Sequence, residues 1–298
     1  MNISNNTAKV FSEFGIDKGV ELLKKSGFDN IDVSISQFAR EIREGTWMPI
    51  AKELLAAKEK YGVRYNQSHA PFGGGRGEPE TRGYYYAHHV PHIPDALRMA
   101  EAAGIESVVV HPIAFLDTGY LGHEDEHFEA NLKFFSSLIP VARELGIKVA
   151  IENLWITSPI TGNIVNGPCA DPREHIALFE ELNAPDVITL CLDVGHSALV
   201  GREPEDVIRT LGHDRLGALH VHDVDYKNDL HTLPWQSKLH WEEIARALGE
   251  IDYTGDITLE ADYFIAKLDK SILPTALPMM AATASHLGDL VDSYRPSK

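Results

Sequence analysis

The chain has 298 residues, 44% of them hydrophobic, enough to bury a substantial core in one large α/β domain spanning residues 1–298. Its 27 Lys and Arg against 44 Asp and Glu leave a formal charge of -17, which disfavours phosphate backbones and anionic lipid surfaces, so neither nucleic acid nor membrane is expected as a partner. The two cysteines, Cys169 and Cys191, lack metal-knuckle spacing, and neither a secretory pattern nor a run of about 20 apolar residues is present; a cytoplasmic protein is expected.

In chain order, short apolar runs predict strands at 2–4, 30–33, 63–68, 107–110, 148–151, 188–192, 216–221 and 256–259. Stretches of helical period fall at 16–25, 49–61, 89–103, 128–145, 172–182, 203–211, 241–251 and 278–293. Strict alternation predicts a parallel α/β fold, and eight strand–helix pairs in a chain somewhat above the roughly 250 residues typical of the fold predict a (β/α)8 TIM barrel. A doubly wound open sheet is the rival, but no Gly-x-Gly-x-x-Gly turn follows an early strand. The one glycine cluster, Gly73 to Gly77 with Arg76, follows the third strand as an active-site lid would; a phosphate cradle is the alternative.

The stretch "KVAIENLW" at 148–155 runs three apolar residues straight into Glu152, and a carboxylate at the end of a buried strand needs a partner. Other strands end alike, at His69, His111, Asp193, His222 and Glu260, and in this fold such ends converge on one mouth. Glu152, Asp193, His222 and Glu260 form a hard, oxygen-rich set suited to a divalent ion, Mn2+ first, with Mg2+, Co2+ or Zn2+ as alternatives.

These residues resemble the xylose isomerase-like barrel superfamily of sugar isomerases and epimerases, to which ketose 3-epimerases, inosose dehydratases and abasic-site endonucleases also belong. The resemblance runs from about Gly27 to Asp262 and is carried by "GFDNIDVSI", "SHAPFG", "VVVHP", "VAIENLW", "CLDVGHSAL", "ALHVHDVD", "DLHTLPW" and "GDITLEAD" in that order. It implies that Glu152, Asp193, His222 and Glu260 are metal ligands and that Glu152 and Glu260 are the catalytic acid and base. It also implies that His196 contacts substrate. His69, His111, Asp229 and His231 match additional zinc ligands of the endonucleases; in a sugar enzyme they are expected to bind substrate, together with Trp155. Trp155, Phe115, Tyr120 and Trp235 are candidate apolar walls for sugar carbons. One departure is His240, which stands where the family commonly has an aspartate before a helix; losing such an N-cap costs about 1 kcal/mol.

The expected reaction is metal-assisted isomerisation or epimerisation of a small sugar or sugar derivative, by proton transfer beside a carbonyl through an enediolate. A dehydratase or lyase acting on a keto-sugar, inosose or keto-glycoside would use the same groups. An abasic-site endonuclease with three zinc ions is the alternative of a different class, and the -17 charge speaks against it. Homo-oligomer formation is left open.

Overall fold

The computed structural model describes residues 1–72, 82–114 and 119–296. The cluster Gly73 to Gly77 and the candidate wall Phe115 lie outside the described residues. The strands are β1 (Ile3–Asn5), β2 (Asn30–Val33), β3 (Arg64–His69), β4 (Ser107–Val110), β5 (Lys148–Glu152), β6 (Trp155–Thr157), β7 (Ile164–Asn166), β8 (Ile188–Asp193), β9 (Leu216–His220) and β10 (Ile257–Leu259). The helices are α1 (Ala8–Phe14), α2 (Ile16–Ser26), α3 (Ala39–Glu44), α4 (Met48–Tyr61), α5 (Arg82–His88), α6 (Ile93–Ala102), α7 (Glu124–Leu145), α8 (Pro172–Leu182), α9 (Val194–Leu199), α10 (Pro204–Leu211), α11 (Trp241–Glu250), α12 (Asp262–Ala266) and α13 (Leu273–Ser293).

Strands β2, β3, β4, β5, β8 and β9 pair in that order, all parallel, and β1 pairs with β10. Parallel bridges Asn6–Asp32 and Val221–Leu259 join the two sets, so eight strands close into the expected barrel. Within β5 the period of two sends Val149 and Ile151 outward into the large core beneath the helices. Ala150 points inward, where it forms a small layer with Val109, Cys191 and Ala218. Both faces are buried, which is why these strands read as continuous apolar runs.

The helices cover the outer face. In α7, acids Glu124, Asp125 and Glu126 occupy the first turn, and Gly146 ends the helix at φ 65°. Phe134, Phe135, Leu138, Val141 and Ala142 form its buried stripe; truncating the fully buried Phe135 to Ala would cost about 3–5 kcal/mol. The terminal helix α13 begins at Leu273, ahead of the expected start at 278, because Pro274 takes the first turn and Pro278 is carried inside the helix. The antiparallel hairpin β6–β7 and the short helix α9, both beyond the eightfold repeat, sit just after strand ends β5 and β8.

Candidate active site

Two residues above the small inner layer, the same inward phase brings His111 after β4, Glu152 on β5, Asp193 on β8 and His220 on β9 to the barrel mouth. His69 ends β3 and Glu260 follows β10. Candidate ligand atoms of Glu152, Asp193, His220 and Glu260 all lie within 4.8 Å of one another. His220 Nδ1 is 3.1 Å from Glu152 Oε1, 3.2 Å from Glu260 Oε2 and 4.0 Å from Asp193 Oδ2. The sequence pattern predicts His222 in this set; the structure places His220 there. The two residues share a phase, but the strand ends at His220, whose register partner is Asp193, and His222 lies a step further out.

His222 belongs to a second group with His196, Asp229 and His231, again with candidate ligand atoms within 4.8 Å. Its Nε2 lies 2.9 and 3.0 Å from the two Asp193 oxygens, and its ring stacks on His231 at 3.9 Å. Gly195 makes this possible, since a Cβ there would stand 2.1 Å from His222 Cε1. His69, His111 and Glu152 form a third group on the other flank, both imidazole Nε2 atoms 3.1 Å from Glu152 Oε2. Glu152 therefore belongs to two groups, and Asp193 of the first contacts His222 of the second.

Neighbouring residues of "KVAIENLW" hold the frame. Asn153 Oδ1 accepts the Asp193 backbone N–H at 2.7 Å, and its Nδ2 donates to Asp193 O and Ser197 Oγ, tying the ends of β5 and β8 together. The Trp155 indole donates to Asp229 Oδ2 at 3.3 Å. Asp193 caps α9 by accepting His196 N–H at 2.7 Å. Asp223, fully buried, accepts the N–H groups of Ser237, Lys238 and Leu239 and the Trp241 indole N–H. That one carboxylate organises the approach to α11, where His240 makes no side-chain cap.

Three imidazoles are fixed in a common way. Nδ1 of His69 donates to Ala70 O, that of His196 to Asn153 O and that of His231 to Glu260 O, at 2.8, 2.9 and 2.8 Å. A neutral ring so held turns the Nε2 lone pair toward the carboxylates, as metal-binding histidines do. Burial would lower the pKa of His69, His196 and His231, but the facing acids outweigh it and raise all three. Burial likewise would raise Glu152, yet His220 and His111 hold it well below the usual carboxylate range. At His111 burial prevails and pushes the imidazole down to about 4. Among the described residues no lysine or arginine pairs with Glu152, Asp193 or Glu260; their charged partners are imidazoles alone. Three crowded acids facing ring nitrogens fit a divalent cation.

The expected apolar walls fare differently. Tyr120 is buried beside Ala114 and Ile156, with its hydroxyl on Glu174, and Trp235 packs against His286 of α13 with Trp241 nearby. The exposed ring that does border the mouth is Phe72, 4.5 Å from His69 and 4.8 Å from His111 between ring centres, with Tyr263 5.3 Å from His231 on the far side. Neither follows from the sequence pattern, although Phe72 stands within "SHAPFG".

A relative, the uncharacterised protein y4fM of Sinorhizobium fredii, is 24% identical over 266 residues, 83% of this chain and 81% of that protein. Among solved structures, a D-psicose 3-epimerase determined in the presence of D-fructose superposes with a TM-score of 0.69 at 17% identity, covering 96% of this chain and 99% of that one. The 3-keto-D-glucoside 4-epimerase YcjR from E. coli gives 0.70 at 15%, covering 97% and 99%. At such identities the likeness establishes the shared fold. The model of the xylose isomerase-like TIM barrel family matches residues 20–275, and the chain belongs to that family.

Proposed function

We propose that this chain is a divalent-metal-dependent sugar isomerase or epimerase that moves a proton beside a carbonyl. The observation that carries the reading is the convergence of Glu152, Asp193 and Glu260 on Nδ1 of His220 at the barrel mouth. Glu152, Asp193, His220 and Glu260 would hold the ion, Mn2+ before Mg2+, Co2+ or Zn2+. The bound ion supplies polarisation of the substrate carbonyl and charge stabilisation as the neighbouring carbon loses its proton.

Glu152 and Glu260 hold or move that proton. They enter from different strands, β5 and β10, and meet at the same imidazole, so a carbon between them would present one face to each. Glu152 is 1% exposed and Glu260 14% at the side chain, so Glu260 is the more open of the two. His196, Asp229, His231, His69 and His111 would orient hydroxyl groups around the reacting carbon, and Trp155 would position Asp229. Similarity to epimerases acting on ketose and keto-glucoside substrates supports a keto-sugar as the substrate class. A screen of ketoses, aldoses, keto-glycosides and inososes with added Mn2+ tests the reading. Glu152→Gln and Glu260→Gln, each checked for bound metal, should each lose at least the roughly 100-fold typical of a general base. Metal-loaded variants with near-normal turnover would sink the two-base mechanism.

A second reading rests on the groups flanking the first, His69/His111/Glu152 and His196/His222/Asp229/His231. Both filled with zinc would make a polynuclear hydrolase, and three zinc ions per chain with cleavage of abasic DNA would establish it instead.

A further inference from the structure

Outside the groups already described, Glu203, Glu205 and His240 bring candidate ligand atoms within 4.8 Å of one another. We propose that they form a separate site for a zinc-class divalent ion, which ties the start of α10 to the start of α11. Glu203 is the N-cap of α10 and Glu205 lies in its first turn; His240 is the N-cap of α11. Neither Glu203 nor His240 spends its side chain on capping its helix.

The spacings favour an ion over direct pairing. His240 Nδ1 is 3.7 Å from Glu203 Oε2 and 3.6 Å from Glu205 Oε1, too far for a hydrogen bond. Two ligands about 2.1 Å from a tetrahedral zinc stand about 3.4 Å apart, close to these values. An independent sign is Glu205 itself. It is 8% exposed; its Oε1 faces His240, and its buried Oε2 has no hydrogen-bond partner among the described residues. A buried carboxylate left so is costly, and a cation removes the cost. The Tyr226 hydroxyl donates to Glu203 Oε2 at 2.8 Å, as an outer partner that orients a ligand. Two carboxylates with an imidazole select a zinc-class ion over Ca2+ or Mg2+, and three protein ligands leave one position for water.

The consequence reaches the mouth. The segment from His222 to His240 carries Asp229 and His231, and Asp223 gathers its later part. An ion on His240 would pin the same segment at its far end.

The test is a Zn2+ titration of the chelator-treated full-length protein against a chromophoric chelator, with His240→Gln, Glu205→Gln and the control His213→Gln. Both site variants should bind one equivalent fewer per chain than wild type and His213→Gln, with the mouth equivalents unchanged. Added Zn2+ should also raise the melting temperature of wild type more than that of either site variant. Equal stoichiometry in all four proteins would overturn the proposal. So would a loss in His240→Gln alone, because a lone surface imidazole would account for it.

Discussion

Replacing Gly195 with alanine isolates the packing that holds the outer histidines. A helical Gly→Ala change on its own stabilises by about 1 kcal/mol. Here the new methyl would stand 2.1 Å from Cε1, 2.6 Å from Nε2 and 2.7 Å from Nδ1 of His222, a fully buried ring that cannot swing into solvent without losing its contacts. Displacing it breaks the contact with Asp193, worth about 1.5–3 kcal/mol for a hydrogen bond to a charged group, and the stack on His231. Overpacking adds about 1–3 kcal/mol. After the helix gain, the net expectation is a destabilisation of roughly 2–5 kcal/mol, read by urea unfolding of the chelator-treated protein. Stability equal to or above wild type would refute the packing argument, since the helix gain alone would then be operating.

His220→Gln should abolish binding of the mouth ion, whereas His222→Gln should keep it and disturb mainly the outer group; chelator competition separates the two, and metal loss in His222→Gln alone would reverse the assignment. Glu174 gives a pH dependence: burial raises its carboxyl to about 7, against partial relief from the Tyr120 hydroxyl and the Cys169 N–H. Because the folded value lies above the unfolded one, the stability it contributes is complete below about pH 4.5 and is lost as pH rises through about 7, by roughly 3 kcal/mol at most. Urea stability of Glu174→Gln should fall less across that window, and parallel curves for the two proteins would contradict the assignment.

The barrel was legible because a parallel sheet covered on both faces leaves apolar runs that periodicity detects, as at Val149 to Ile151. Glu152, Asp193 and Glu260 were legible because a carboxylate directly after such a run, at the edge of a buried sheet, demands a cation or a hydrogen-bond donor. The place of His220 beside Asp193 was not legible because "ALHVH" offers two histidines in one phase, and only the β8–β9 register, with its irregularity between Leu190 and Cys191, decides which is level with Asp193. Counting up from the inner layer would have found it, since Ala150, Cys191 and Ala218 each precede a mouth residue by two. Tyr120 and Trp235 were misplaced because long loops carry no periodicity to aim a side chain. Asp223 anchors the approach to α11 through the N–H groups of Ser237, Lys238 and Leu239 and the Trp241 indole, contacts invisible in the sequence, while the helix itself starts without a side-chain cap.

The most direct test of metal-assisted proton transfer at the mouth is isotope exchange. Protein loaded with Mn2+ is incubated with keto-sugars in heavy water, and the recovered sugars are read by mass spectrometry and, after the metal is removed, by NMR. One deuterium at the carbon beside the carbonyl, accompanied by the epimer or the isomeric aldose, is the expected result; metal-loaded Glu152→Gln should form no epimer and exchange at most on the face of Glu260, with one substrate epimer and not the other. Folded, metal-loaded protein that exchanges no proton on any keto-sugar, yet cleaves abasic DNA when it holds three zinc ions, would contradict it.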